Sequence, residues 1–198
     1  MYGGPFRIRI PSDGRNACRI TARVTFIENR YHASLPSGSL GLRGLTKRTV
    51  QMHALVTRVK LETTRAPEFI DITSHVVAHV RESGVRDGLV SIYSKHTTAA
   101  ITINEHEPLL LKDMETFLQK IAPADQYYAH NDFSIRTVNM NENECPNGHS
   151  HCSHLMLGTS ETIPIIDGEL QLGQYQSVFM IELDHPRERE VLISVLGA

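Results

Sequence analysis

Histidine is the residue of this sequence with the most obvious chemical potential. The chain contains eleven histidines, and three of them, His149, His151 and His154, lie within six residues. A neutral imidazole is a ligand for zinc and its neighbours in the first transition row. A strand places alternate side chains on one face, so His149 and His151 are predicted to point the same way. The cluster predicts a metal site, although any single histidine could instead be a solvent-exposed loop residue.

Two of the three cysteines flank this cluster, but they do not complete a zinc module. Cys145 and Cys152 lack a second Cys-x-x-Cys or a distal pair that would close a tetrahedral site. Together with Cys18 they form an odd, sparse set, which does not indicate a disulfide framework and fits a reducing compartment. The cytoplasm is therefore the expected location.

Composition excludes several classes of protein. The 198 residues are 40% hydrophobic and 21% charged, with a mean hydropathy of −0.23. Such values are not those of a collagen-like or wholly disordered chain. The longest apolar runs span a few residues, far from the ~20 that cross a bilayer, and no signal-peptide core follows Met1. We expect one folded domain, with or without an extension, and no membrane partner.

Charge divides the chain into two parts. Residues 1–50 contain nine basic and two acidic side chains, a net charge of +7, while the remainder carries −9. The first part is rich in glycine and contains one strand-like stretch, residues 20–27. Residues 1–51 are predicted to be a basic extension and residues 52–198 the domain. The extension could be a disordered arm, an organelle transit peptide or a mis-started segment; nucleic acid is not the expected partner.

From Met52 onward the pattern is regular. Strands are predicted at residues 55–61, 89–93, 99–103, 178–183 and 191–196, and a hairpin at 163–166 and 169–172 around Asp167-Gly168. One helix is predicted from a cap at Asp71 to about Ser83, ended by Gly84, and another from Pro108 to Ile121. Antiparallel strands with two helices predict an α+β domain.

Four motifs carry a resemblance to a known family. They are SKHTTAAITINE at residues 94–105, NGHSH at 147–151, LGTS at 157–160 and LGQYQ at 172–176. Over about residues 52–197 the chain resembles the YjbQ family, also catalogued as "secondary thiamine-phosphate synthase". The resemblance implies a two-layer, antiparallel β-sandwich-like domain, a homotrimer with histidines near subunit boundaries, and a divalent metal. It implies the thiamine-phosphate synthase activity only weakly.

The resemblance also implies roles for individual residues. The implied metal ligands are His96, His130 and His151, followed by His149, whereas His154 stands where the family has a small residue. The implied catalytic residues are His96, Asn104, Glu105 and Asp113. The implied substrate contacts are Lys95, Thr97, Thr98, Gly158, Thr159, Ser160, Tyr175 and Gln176. Glu105 and Asp113 could equally lie on a solvated helix face or favour the helix dipole. Tyr175 replaces the family's usual tryptophan, which puts substrate selectivity in question.

These residues are compatible with three functions. A thiamine-phosphate synthase joins a pyrimidine-methyl diphosphate to a thiazole phosphate, and a metal with hydroxyl and ammonium donors could bind the phosphates. Three imidazoles favour zinc, although phosphate enzymes more often use magnesium. A zinc-dependent hydrolase would use the same histidines. In the third alternative, a non-catalytic trimer holds a structural ion or a small anion.

Overall fold

Two antiparallel sheets form the framework of the protein. The structure, a computed structural model, describes residues 17–28 and 46–198. One sheet has the order β1-β2-β9-β4-β6-β7 and the other the order β3-β8-β5. The strands are β1 (Ala17–Glu28), β2 (Thr46–Glu62), β3 (Glu68–Asp71), β4 (Gly88–Ser94), β5 (Ala99–Glu105), β6 (Ser160–Ile166), β7 (Glu169–Leu170), β8 (Gln176–Glu182) and β9 (Glu188–Gly197).

Three helices connect the strands of the described chain: α1 (Thr73–Ser83), α2 (Pro108–Ile121) and α3 (Gly148–Leu157). Helix α1 ends at Gly84, whose φ of 70° is the left-handed conformation expected of a glycine C-cap. Helix α2 begins at Pro108, and the Glu107 carboxylate accepts hydrogen bonds from the first free backbone N–H groups. A short 3-10 turn, Ala129–Asn131, precedes α3.

The main core lies between the two sheets. On β9, Val191, Ile193 and Val195 alternate with more exposed residues and face the same cluster as Val178 and Met180 of β8. Helix α1 packs on the same cluster through a buried stripe formed by Ile72, Val76 and Val80.

The intervening residues of β8, Phe179 and Ile181, point to the opposite side. There they pack with Leu118 of α2 and Leu157 of α3 in a second cluster. The three-stranded sheet is therefore covered by the large sheet on one face and by helices on the other.

The predicted fold class is confirmed. The structure is α+β, and the strands predicted after residue 55 are present within a few residues of their expected ends. The Asp167-Gly168 hairpin is also confirmed, since both residues have positive φ, 53° and 83°. Asp71 does not occupy the N-cap position itself, but its carboxylate accepts a hydrogen bond from Thr73 N at 2.9 Å.

The prediction of two helices, with His149 and His151 on a strand, was wrong. These residues lie on α3, a third helix, which places side chains two positions apart on different faces. The buried residues of α3 include Ser150 and Ser153, and Ser150 Oγ donates a hydrogen bond to Leu183 O at 2.6 Å. Because serines replace apolar residues on the inward face, the helical period was hidden in the sequence.

Strand β2 spans the boundary that the sequence places at Met52. It begins at Thr46, and its pairing with β9 runs from His53 to Glu62. Residues 1–16 and 29–45 of the predicted extension lie outside the described residues, and the predicted strand at 20–27 falls within β1. Within the described chain, none of the helices has the length and apolar character of a membrane span.

A chain starting at Met52 is predicted to fold cooperatively. It keeps every residue of the β2–β9 ladder and loses β1, which pairs with β2 alone in the described sheet. Urea unfolding followed by circular dichroism should give one transition. A chain starting at Leu61 is the control, because it loses most of that ladder and should not unfold cooperatively; a Met52 chain that behaves like this control would contradict the prediction.

Candidate functional site

A cavity of about 500 Å³ opens where β4, α3 and the start of β9 meet the loop that precedes α3. Its lining is polar and contains four cationic side chains but one carboxylate. The lining residues are Lys95, His96, Thr97, Thr98, His130, Arg136, Asn139, Asn141, Asn143, Glu144, Cys145, Asn147, His151, Arg187 and Arg189.

Arg189, which lines the cavity, belongs to a buried ion pair. Glu182 is fully buried at the end of β8, and Arg189 is 3% exposed near the start of β9. Arg189 Nε donates to Glu182 Oε2 at 2.6 Å, and Arg189 Nη2 lies 2.5 Å from Glu182 Oε1. The carboxylate also accepts hydrogen bonds from Thr63 Oγ1 and from the backbone N–H groups of Leu183 and Asp184. The protein thus supplies partners for both charges, as a buried pair requires.

Arg189 extends this network to the loop after β4. Its Nη2 donates to Thr98 Oγ1 at 2.9 Å and approaches Thr98 O at 3.3 Å. In the same loop, Ser94 Oγ donates to Ala99 O at 2.7 Å, which closes the loop on itself. Thr98 is consequently buried, and its hydroxyl is already used by the protein.

The backbone of β9 holds the imidazole of His96 in place. Its Nε2 accepts a hydrogen bond from the backbone N–H of Glu190 at 2.9 Å, so the proton of the neutral ring lies on Nδ1, which can donate a hydrogen bond to a ligand. The neighbouring Lys95 Nζ lies 2.6 Å from Glu190 Oε1. Burial, with the positive charge of Arg189 as a further cause, lowers the pKa of His96, so the imidazole is neutral at pH 7.

His130 and His151 meet at the cavity wall. Their rings pack edge to face with centroids 4.7 Å apart, and His130 Nε2 is buried without a hydrogen-bond partner among the described residues. Burial, followed by the neighbouring His130, lowers the pKa of His151. The contact of the two imidazoles, one with a buried ring nitrogen that lacks a partner among the described residues, is an arrangement suited to a pair of metal ligands.

The close approach of α3 to the 3-10 turn makes this contact feasible. Gly148 opens α3, and a Cβ atom there would lie 2.6 Å from Tyr128 Cβ. Asn131 Oδ1 accepts a hydrogen bond from Gly148 N at 2.8 Å, which ties the helix start to the turn carrying His130. Any larger residue at position 148 would push His151 away from His130.

His149 and His154 do not line the cavity with His151. His149 lines a separate, small cavity of about 90 Å³ beside Leu118 and Leu183, and its Nδ1 is buried without a partner in the described chain. Burial lowers the pKa of both side chains. The expectation that His149 and His151 share a face is therefore wrong for this fold, because α3 is helical.

The other residues implied by the resemblance lie away from this cavity. Asn104 and Glu105 end β5 and are exposed, Asp113 is exposed on α2, and Tyr175 is exposed. Gln176 accepts a hydrogen bond from Gly173 N at 2.7 Å and so closes a tight turn. The backbone carbonyls of Thr159 and Gly158 accept hydrogen bonds from the N–H groups of Ser94 and Ile101, and Ser160 is exposed at the start of β6. Their proposed roles in substrate binding stay predictions.

The sequence motifs did not predict the ion pairs between arginines and carboxylates at this site. Arg136 and Glu144 form a 2.8 Å ion pair with both side chains nearly buried, which lowers the pKa of Glu144. Arg187 from the turn after β8 and Arg189 from the start of β9 bring two further cations. One signal was available: Glu182 interrupts an apolar run, and a carboxylate in a buried strand needs a partner.

A separate group of donor atoms converges at the rim of the cavity. Cys145, Asp184 and His185 form the one group of three metal-ligating side chains in the described chain whose donor atoms all lie within 4.8 Å of one another. Burial acts to raise the pKa of Asp184, but hydrogen bonds with His185 and Asn147 outweigh it and the pKa is lowered. Burial and the Asp184 charge raise the pKa of Cys145. His96, His130 and His151 do not form such a group within the described residues.

The structure defines an α+β protein of two antiparallel sheets and three helices in the described chain, with a polar cavity. Residues 57–198 match the family model "UPF0047 protein YjbQ-like", and the chain belongs to this family. A UPF0047 protein of Methanothermobacter thermautotrophicus is 40% identical over 148 residues, which cover 75% of this chain and 96% of that protein. YugU of Bacillus subtilis is 31% identical over 140 residues, 70% of this chain and 97% of its own length.

Solved structures show the same fold. A YbjQ-like protein of unknown function from Sulfolobus solfataricus is 32% identical, with a TM-score of 0.67, and the match covers 74% of this chain and 99% of that one. A hypothetical protein from Aeropyrum pernix is 31% identical, with a TM-score of 0.64, over 72% and 98% of the two chains. The resemblance inferred from the sequence motifs is confirmed.

Substitution of Glu182 by alanine is predicted to destabilise the fold strongly. It leaves Arg189 buried and unpaired, which costs about 3–5 kcal/mol of unfolding free energy. The matched control is Glu188→Ala, which breaks an exposed 3.0 Å pair with Lys60 and should cost less than about 1 kcal/mol. Urea unfolding measures both values. Equal, small losses would show that the buried pair does not hold the site together.

Proposed function

We propose that the chain binds a phosphorylated small molecule in the basic cavity and joins a pyrimidine-methyl diphosphate to a thiazole phosphate, as a thiamine-phosphate synthase does. The observation that carries the proposal is the set of four cationic side chains that line the cavity, Lys95, Arg136, Arg187 and Arg189, each of which an ion pair with a carboxylate holds in place. A volume of about 500 Å³ also falls in the range of about 300–1,000 Å³ that is usual for small-molecule sites.

The cations have donors to spare for phosphate oxygens. Arg189 uses Nε and Nη2 for Glu182 and Thr98, which leaves Nη1 among its described contacts. Lys95 carries three N–H donors and spends one on Glu190. The Thr97 hydroxyl is exposed at the cavity. A diphosphate placed here would meet N–H donors of Lys95 and Arg189 on side chains that the ion pairs with Glu190 and Glu182 hold in position.

The reaction needs stabilisation of the charge on the leaving pyrophosphate and no covalent bond to the protein. The bond between the pyrimidine methylene carbon and the diphosphate oxygen breaks, and its electron pair leaves with pyrophosphate. The lone pair of the thiazole nitrogen forms the new carbon–nitrogen bond. Lys95 and Arg189 would stabilise the charge that develops on the departing pyrophosphate, and the cavity walls would hold the two substrates in line.

A divalent metal, zinc in preference to magnesium, is proposed to accompany the substrate. Two residues support such an ion, because among the described residues His130 Nε2 is buried without a hydrogen-bond partner and lies beside His151, whose pKa is lowered by burial. Imidazole donors suit zinc, whereas magnesium prefers oxygen ligands. When bound, the ion would supply Lewis-acid stabilisation of phosphate oxygens. His96 would donate a hydrogen bond from Nδ1–H to the substrate.

Assembly as a homotrimer is part of the proposal. Helices α2 and α3 present large apolar side chains to the outside, among them Leu109 at 66%, Phe117 at 61% and Leu155 at 82% exposure. Burial of these side chains against further copies would be favourable. It would also bring additional ligands to the His130–His151 pair. The sparse cysteines keep the cytoplasm as the proposed compartment.

The test is formation of thiamine phosphate from the two substrates with zinc or magnesium present. Wild type is expected to release pyrophosphate and thiamine phosphate in equal amounts. Lys95→Met should lower kcat/KM by about tenfold, or about 1.4 kcal/mol of transition-state stabilisation, and His151→Asn should lower it further. Lys120→Met, on the exposed end of α2, is the charge-matched control and should leave the rate unchanged.

The alternative functions give other outcomes. Cleavage of the diphosphate without the thiazole compound would indicate a zinc-dependent hydrolase. Pyrophosphate binding that depends on Lys95 but yields no product would indicate a non-catalytic anion-binding protein. Sedimentation of each sample verifies that the variants keep the wild-type assembly. Absence of both binding and turnover in wild type would overturn the proposal.

A further inference from the structure

We propose that Cys145, Asp184 and His185 form a zinc site at the rim of the cavity, separate from the histidine pair. The inference is independent of the proposed synthase activity, since it rests on the donor atoms alone. The three residues come from two places in the chain: Cys145 lies in the loop before α3, and the other two lie in the turn between β8 and β9.

The donor separations match those around a tetrahedral zinc ion. Cys145 Sγ lies 3.3 Å from His185 Nδ1 and 3.8 Å from Asp184 Oδ1, and the two latter atoms are 3.0 Å apart. Zinc–sulfur bonds of about 2.3 Å and zinc–nitrogen or zinc–oxygen bonds of about 2.0–2.1 Å imply tetrahedral edges of about 3.4–3.6 Å. Shifts of a few tenths of an ångström would therefore bring the three atoms onto one ion.

The same geometry argues against a Cys-His-Asp nucleophile. In such a triad the cysteine and the carboxylate use different ring nitrogens of the histidine. Here Cys145 Sγ and Asp184 Oδ1 both approach Nδ1 of His185. One nitrogen cannot serve both partners through a single proton. An ion at the centre of the three atoms satisfies all of them at once.

Neighbouring polar atoms are incompletely satisfied, which is a second observation in favour of a ligand. Asn147 is 9% exposed, and its Oδ1 has no hydrogen-bond partner among the described residues, while its Nδ2 donates to Asp184 Oδ2 at 3.4 Å. Arg187 Nε is also buried and unpartnered in the described chain. Buried polar groups in native proteins usually have partners, so orphans at one place need a reason.

The guanidinium of Arg187 contacts Asp184 and His185 and would compete with a metal ion for them. Its Nη2 lies 3.0 Å from Asp184 Oδ2 and also lies against both ring nitrogens of His185. A zinc ion would take over the neutralisation of Asp184 through Oδ1, and Arg187 would withdraw from the imidazole to Oδ2 or into the cavity. Arg187 therefore opposes the metal by charge.

Three protein ligands leave tetrahedral zinc one position short, which is the ligand count of sites that keep water or substrate in the fourth position. Cys145 lines the large cavity, so this fourth position adjoins it. A sulfur, a nitrogen and an oxygen donor together select zinc over magnesium or calcium, whose preferred ligands are all oxygens.

Cobalt binding to the full chain tests the site, because a thiolate ligand gives Co²⁺ an intense charge-transfer absorption that imidazole and carboxylate ligands do not. We expect this absorption in wild type and in Cys152→Ser, whose cysteine is exposed on α3. It should vanish in Cys145→Ser. Zinc affinity should fall in Cys145→Ser and His185→Asn by more than the about 10–100-fold that loss of an outer-shell partner costs.

Two further measurements keep the test decisive if a variant fails to fold. In wild type, zinc should slow the alkylation of Cys145 by iodoacetamide and leave that of Cys152 unchanged, as read by mass spectrometry of the labelled peptides. Arg187→Ala should bind zinc roughly tenfold more tightly, because the competing charge is removed. A wild-type protein without the thiolate absorption, or with equal protection of both cysteines, would overturn the proposal.

His151→Asn separates this site from the histidine pair. It should leave the thiolate absorption unchanged, because His151 is not among the three donors. Loss of the absorption in His151→Asn would show a single shared site and would refute the assignment of Cys145, Asp184 and His185 as an independent one.

Discussion

The buried pair of Glu182 and Arg189 is the interaction on which the rest of the site depends. It joins the end of β8 to the start of β9, and through Thr98 and Thr63 it also fixes the loop after β4 and the chain after β2. A charge taken out of water demands complete compensation, and here every oxygen of Glu182 has protein donors. Displacement of any one partner would leave an unpaired buried charge, which opposes movement of this part of the cavity wall.

Strand β9 places successive residues on opposite faces, so Arg189 and Glu190 reach different partners around the cavity. Arg189 points inward with Val191, while the backbone N–H of Glu190 donates to His96 and its carboxylate pairs with Lys95. One end of one strand thus positions a guanidinium, an imidazole and an ammonium group around the same space. Helix α3 brings His151 to the opposite wall, where the lack of a side chain at Gly148 allows close contact with the turn that carries His130.

Local patterns predicted most of the framework. Three features depend only on neighbours in sequence, and each was predicted: the alternation on β9, the stripe of Ile72, Val76 and Val80 on α1, and the Asp167-Gly168 turn. Helix α3 was not, because its inward face carries serines whose burial depends on Leu183, a residue of another element. Likewise, the contacts of Arg189 with Thr98 and of His96 with Glu190 span more than ninety residues, so no local pattern reveals them.

The most direct measurement of the central claim, that the cavity held by Glu182 and Arg189 is the phosphate site, is a crystal structure of the full chain with pyrophosphate. The account predicts electron density for the anion within hydrogen-bond distance of Lys95 and Arg189, with the Glu182–Arg189 pair unchanged. An empty cavity at a saturating concentration of pyrophosphate, or an anion bound only elsewhere on the molecule, would contradict it.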